Sequence, residues 1–80
     1  MEYDEEKVAE YVLALLYLTM HGDKYGVRVW KGMDWDALNM LYEKGYISDP
    51  KNKAKSVLLT EKGEAESKQL FEKYFSKNTD

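Results

Sequence analysis

The first quarter of the chain carries apolar side chains every three or four positions, which predicts an amphipathic helix running to about Met20. Asp4 is suited to cap its start and Gly22 to end it. One apolar strip comprises Val8, Tyr11, Val12, Leu15 and Leu18. A second strip comprises Leu13, Tyr17 and Met20. Since a surface helix needs only one strip, this helix is expected to be central or to meet a partner chain.

The middle of the chain predicts an extended stretch followed by a second helix. Residues 22–33 contain three glycines, and Val27, Val29 and Trp30 within them favour a short strand. Asp34 can cap a helix over residues 35–44, and Gly45 can end it. The buried side of this helix is predicted to hold Trp35, Ala37, Leu38, Leu41 and Tyr42. The open side is predicted to hold Asp36, Asn39, Met40, Glu43 and Lys44.

The last part of the chain predicts a β-hairpin and a third helix. Residues 46–48 and 56–59 are the two strands, joined by a basic, turn-rich link. Thr60 can cap a helix from residue 61 to about residue 76. Its apolar arc comprises Gly63, Ser67, Leu70, Phe71, Tyr74 and Phe75. The small residues come first, so the start of this helix can approach another backbone closely.

Composition restricts the class of protein. A chain of 80 residues forms a single domain, here with residues 77–80 as a frayed tail. The fold class is predicted as small α+β: three helices and a hairpin in the C-terminal half. No cysteine is present, which excludes disulfides. The acidic start is unlike a signal peptide, and the longest apolar run, residues 11–18, is too short to span a membrane. We therefore expect a cytoplasmic protein.

One segment carries a resemblance to a known fold. Leu38-x-x-Leu41-x-Glu43-Lys44-Gly45-Tyr46-Ile47, a basic gap, and then Leu59-Thr60-Glu61-Lys62-Gly63 resemble the winged-helix domains of PadR-like and MarR-like transcriptional regulators. The resemblance covers residues 34–76 and implies a recognition helix followed by a hairpin wing. The chain departs from those regulators at residues 22–33, where a helix-turn-helix has another helix. The whole chain also resembles a family of small uncharacterised bacterial proteins.

The resemblance implies a nucleic-acid interface, and charge supports it in one region. The net charge of −3 is unevenly placed, because residues 24–55 carry +3 and residues 1–23 carry −5. The candidate contacts to double-stranded DNA are Lys51, Lys53, Lys55, Arg28, Lys31 and Asn39. Lysines neutralise phosphates, and an asparagine can pair with adenine. The alternative is that these lysines only keep a hairpin edge soluble.

A second hypothesis is a protein interface. The candidate residues are Leu13, Tyr17, Met20 and Met40, which look like more apolar surface than a small domain covers. A symmetric homodimer is the commonest closed form. The alternative is that the third helix and the hairpin cover these side chains. Under the second hypothesis the chain is a protein-interaction or homodimerisation module that has kept the scaffold and does not bind DNA.

Catalysis is not expected. His21 is the only histidine, and no nucleophile motif accompanies it. We expect it to favour the negative end of the first helix instead. Asp34-Trp35-Asp36 starts like a calcium loop but lacks the glycine and the final glutamate that such a loop needs. The sequence predicts no enzyme, no metal and no cofactor.

Overall fold

The computed structural model describes residues 1–23, 26–51 and 54–77. The helices are α1 (Glu5–Leu16), α2 (Trp35–Glu43) and α3 (Glu61–Phe75). The strands are β1 (His21–Asp23), β2 (Gly26–Trp30) and β3 (Ser56–Leu58). Three helices and a three-stranded antiparallel sheet make a small α+β domain, which confirms the predicted fold class.

The sheet is assembled around the glycine-rich segment. Its strand order is β1-β2-β3, with Val29 of β2 opposite Val57 of β3. The predicted extended stretch is thus confirmed, and it also pairs antiparallel with β1, which the sequence did not predict. The predicted strand at residues 46–48 is reduced to a single bridge between Ile47 and Leu59. Two hydrogen bonds make this bridge: Ser48 N–H donates to the carbonyl of Leu58 at 2.9 Å, and Thr60 N–H donates to the carbonyl of Tyr46 at 3.0 Å.

The three predicted helix caps are confirmed. Asp4 accepts a hydrogen bond from the N–H of Lys7 at 3.0 Å, and Asp34 accepts one from Ala37 at 3.0 Å. Thr60 accepts one from the N–H of Gly63 at 2.9 Å. These short polar side chains satisfy backbone donors that have no partner within the helix.

Helix ends were predicted less well. Gly45 ends α2 as predicted, with a φ of 81° in the region that favours glycine. The first helical segment ends close to the predicted Met20, but Gly22 does not end it. The α-helical part stops at Leu16, a 3-10 turn follows over Tyr17–Thr19, and Gly22 lies in β1. The 3-10 turn is tied to β2, because Thr19 Oγ1 accepts a hydrogen bond from the N–H of Trp30 at 3.2 Å.

The start of α3 packs directly on backbone, as its small residues predict. A Cβ atom at Gly63 would overlap the carbonyl of Tyr46. One turn later the buried Ser67 hydroxyl donates to the carbonyl of Leu13 at 2.7 Å. Because neither residue carries bulk, α3 lies close to α1 and to the chain that follows α2.

The core lies between α1, α2, α3 and the sheet, and it corrects the predicted faces of two helices. Leu13, predicted as surface, is 1% exposed. In α2, Leu38 and Leu41 are buried as predicted, whereas Trp35 and Tyr42 are exposed. The buried cluster comprises Ala9, Val12, Leu13, Ala14, Leu16, Val29, Ala37, Leu38, Leu41, Ile47, Val57, Leu59 and Leu70.

Candidate functional site

One side of α1 is apolar and open to solvent. Four side chains lie along it, and we call them the α1 seam: Val8, Tyr11, Leu15 and Leu18. Val8 is half-buried and the other three are exposed, Leu18 by 67%. Their spacing of three, four and three residues is the spacing by which apolar residues line the contact between paired helices. The seam is therefore an apolar face that the described residues cover only in part.

The packing of α1 explains why this side stays open. Helices α2 and α3 both pack on α1, and their contacts use the side that holds Ala9, Leu13 and Leu16. A shallow apolar depression of about 370 Å³ remains on the open side. Its lining comprises Lys7, Val8, Tyr11, Val12 and Leu15. Because only the stem and ammonium of Lys7 interrupt it, the depression can accept apolar side chains.

Aromatic rings from α3 extend this apolar surface. The Tyr11 ring stacks on Tyr74 with centroids 4.4 Å apart and meets the edge of Phe75 at 6.1 Å. Phe75 is 42% exposed. Stacked rings lose little side-chain entropy on binding because they are already ordered. The seam and Phe75 therefore form one continuous, pre-organised surface.

Tyr74 is held in place by a hydrogen bond. Its hydroxyl donates to Glu10 Oε1 at 2.7 Å. This bond to a carboxylate, with desolvation and the negative charge of Glu10 adding to it, raises the pKa of Tyr74 to about 12. The neutral phenol is thus the form that anchors the ring beneath Tyr11.

The residues predicted as a protein interface lie elsewhere. Leu13 belongs to the core and contributes no surface. Met20 and Met40 are half-buried and pack against the core cluster. Tyr17 is partly exposed, and its ring packs on Phe71 with centroids 4.9 Å apart. The first predicted strip supplies the seam through Val8, Tyr11, Leu15 and Leu18, whereas its Val12 is buried.

Two of the predicted nucleic-acid contacts are engaged inside the fold. Arg28 donates to the hydroxyl of Ser56 at 2.7 Å and to its carbonyl at 3.0 Å. The ammonium of Lys31 donates to the carbonyl of Pro50 at 3.0 Å. The two bonds of Arg28 tie β2 to β3, and the bond of Lys31 ties the residue after β2 to Pro50, so both cations have a structural task.

The remaining predicted contacts are divided between two places. Lys51 and Lys55 are exposed on the ribbon, which we define as residues 46–59. Lys53 lies outside the described residues. Asn39 is half-buried on α2, away from the ribbon in sequence. The described residues thus supply two exposed ribbon lysines.

The outer face of α2 is a weaker candidate surface than the seam. Trp35 and Tyr42 are 47% and 44% exposed and lie two turns apart. Exposed Asp36 and Glu43 stand next to them in the sequence. By contrast, residues 11–20 of the chain carry no charge. An apolar partner therefore meets fewer charged groups along the second half of α1 than on α2.

A cavity of about 370 Å³ opens between the helices on another side of α1. Buried Leu13, Leu41 and Leu70 form its floor. The charged side chains around it are Asp4, Glu6, Lys7, Glu10, Lys44 and Glu66. Four of these side chains are acids and two are bases, so the rim offers both signs of charge to a ligand.

The described residues contain no cluster of three or more histidine, cysteine or carboxylate side chains that could hold a metal. Within the same ranges no helix is both long and apolar enough to cross a bilayer. His21 Nδ1 lies 3.0 Å from the carbonyl of Thr19, beyond the end of α1.

Comparison with known proteins places this architecture in a family. A family model described as a domain of unknown function (DUF6429) matches residues 4–77. The chain belongs to the DUF6429 family. This DUF6429 chain is 46% identical over 77 residues to the uncharacterized protein y4hR of Sinorhizobium fredii. The matched residues cover 96% of this chain and 100% of the relative. No solved structure matches the chain. The family has no described function, and the expected membership of a small uncharacterised family is confirmed.

Proposed function

We propose that this DUF6429 domain is a protein-interaction module, not an enzyme, and that the α1 seam docks an apolar helix of its partner. The observation that carries the proposal is the 3-4-3 spacing of half-buried Val8 and exposed Tyr11 and Leu15 on α1, continued by exposed Leu18 in the 3-10 turn that follows. The core lies on the other side of α1. Exposed apolar patches on small soluble domains mark interaction sites.

The size of the surface supports a specific interaction of modest strength. Three partly exposed seam residues, half-buried Val8 and the exposed part of Phe75 present roughly 350 Å² of apolar area. Burying that area contributes about 9 kcal/mol at 25 cal/mol per Å². Association itself costs about 4–15 kcal/mol. One seam therefore does not suffice for tight binding unless the partner contributes a comparable apolar face.

A labelled peptide tests whether the seam accepts a helix. The probe is a designed amphipathic helix with blocked termini, with leucines at alternating spacings of three and four residues and alanine and glutamine elsewhere. It is titrated with the whole domain and followed by fluorescence anisotropy. We expect saturable binding to the parent domain and loss of binding to the Leu18→Glu domain. Leu18 is the most exposed residue of the seam, so this change places a charge in the contact with little effect on the core.

Two controls make the peptide result specific. The Ala65→Glu domain adds the same charge at an exposed position of α3 and should bind the peptide like the parent. A scrambled peptide of the same composition should not bind. Equal binding by the parent and Leu18→Glu domains would show that the seam is not the docking surface.

Nucleic-acid binding is the second candidate, favoured by the ribbon lysines. The resemblance to winged-helix regulators would make residues 46–59 a wing, with Lys51 and Lys55 as phosphate contacts. Against it stand the acidic Asp36 and Glu43 of α2, and the strands β1 and β2 in the part of the chain where a helix-turn-helix has another helix. This candidate therefore rests on phosphate contacts alone, without base readout by α2.

A salt titration distinguishes the two candidates. If the ribbon binds phosphate, the affinity for a short duplex falls steeply with salt, and Lys51→Glu with Lys55→Glu abolishes it. Lys68→Glu with Lys73→Glu makes the same change in charge on exposed positions of α3 and is the matched control. A parent protein with no salt-sensitive binding at low salt eliminates this candidate.

A further inference from the structure

We infer that the helix docked on the α1 seam is α1 of a second copy. The two helices run antiparallel about a two-fold axis that crosses the seam at the level of residue 13. This inference rests on the proposed function of the seam and names its partner. Three features of the described residues carry it: the spacing of the seam, the distribution of charge along α1 and the area of the surface.

The spacing is symmetric about position 13. In an antiparallel pair with that centre, Val8 of one copy lies opposite Leu18 of the other, and Tyr11 lies opposite Leu15. Each of the four seam residues thereby faces another seam residue of the second copy, and no residue faces its own equivalent. Such self-complementarity is what a two-fold interface requires, because the same surface must serve both partners.

Charge selects the antiparallel arrangement. Five acids precede residue 11, at positions 2, 4, 5, 6 and 10, and none lies between residues 11 and 20. A parallel pair would set the acidic first turns against each other, which is unfavourable. An antiparallel pair sets each acidic half against an uncharged half. The opposed helix dipoles favour the same arrangement.

The area argues for a second copy over a polar partner. A standard interface buries about 800 Å² on each side, of which a little over half is apolar. The seam with Phe75 presents roughly 350 Å² of apolar surface. It therefore supplies most of the apolar part, and a second copy brings an equal apolar face to the other side.

Single cysteines test the register, because the parent chain has none. Val8→Cys and Leu18→Cys proteins are oxidised separately and as an equimolar mixture, then separated on non-reducing gels. A disulfide needs Cα atoms within about 7 Å. In the inferred register the two Val8 positions lie about 15 Å apart, from ten residues at 1.5 Å each. We expect cross-linked dimer in the mixture and little in either protein alone.

Each outcome bears on the inference. Cross-linking of each single variant with itself would indicate a parallel pair and overturn the antiparallel register. A dimer in sedimentation velocity with no seam cross-link would place the interface elsewhere. A monomer would exclude the second copy as partner, while the peptide titration still decides whether the seam docks a helix. Ala65→Cys, exposed on α3, controls for collisional cross-linking, and circular dichroism checks that each variant folds.

Discussion

At Gly63 the first turn of α3 lies against the carbonyl of Tyr46, with no room for a methyl group. Gly63→Ala is expected to lower the free energy of unfolding by about 3 kcal/mol, because the obstacle is backbone and cannot rotate away. Gly22→Ala is the matched control, since a Cβ there meets nothing within 4 Å. Urea denaturation should find the control within about 0.5 kcal/mol of the parent. Equal losses in both variants would contradict the close approach of α3.

The hydrogen bond between Tyr74 and Glu10 has a measurable titration. The pKa of Tyr74 is raised to about 12 in the folded protein, against about 10 in an unfolded chain. Because the folded state holds this proton more tightly, the bond stabilises the protein fully below pH 10. That stabilisation is lost as the pH rises towards 12.

Absorbance of ionised tyrosine measures this titration. The parent should show a component with a pKa of about 12 that is missing in Tyr74→Phe. In Glu10→Gln that component should move back towards 10, because the carboxylate acceptor and its charge are gone. A component unchanged in Glu10→Gln would mean that another group raises the pKa.

At the scale of elements, the cap of α3 also joins three parts of the chain. The Thr60 hydroxyl accepts from Gly63 and donates to the carbonyl of Gly45 at 2.7 Å. Thr60→Ala is expected to cost about 2 kcal/mol, and Asp4→Ala, whose cap bond is exposed and local, about 1 kcal/mol. Thr60→Ser keeps the hydroxyl and should recover most of the loss. Urea denaturation measures all three variants.

The features of the helices that could be predicted from the sequence are those set by neighbouring residues. The caps at Asp4, Asp34 and Thr60 follow from a side chain and the backbone next to it, so they could be read directly. The small residues of α3 also indicated its close approach. The buried side of α1 could not be read this way, because residues on every side of it are apolar. Only the positions of α2 and α3 decide that Leu13 is core and Leu18 is surface.

The exposed apolar side of α1 could not be located from the sequence. Leu13, predicted as part of an interface, is buried, whereas the seam is the apolar side of α1 that reaches solvent. The predicted phosphate contacts show the same difficulty. Arg28 and Lys31 are cations in a basic stretch of sequence, yet their partners, Ser56 and Pro50, lie far along the chain. No local pattern announces such pairs.

At the scale of the whole molecule, the inferred homodimer would link stability to protein concentration. If two copies bind each other only when folded, the melting temperature should rise with protein concentration. In the Leu18→Glu variant it should be independent of concentration. Ala65→Glu should behave like the parent. Differential scanning calorimetry over a hundredfold range of concentration makes the comparison, and a parent protein with a constant melting temperature would argue against the dimer.

The contact between Ser67 and Leu13 joins residues 54 positions apart, and it has a consequence for synthesis. Helix α1 leaves the ribosome first among these elements, whereas α3, which covers part of its core side, leaves last. Until α3 emerges, the nascent α1 presents apolar side chains in both directions. During translation this segment is therefore the part of the chain most in need of a chaperone, and pausing after residue 60 would prolong that need.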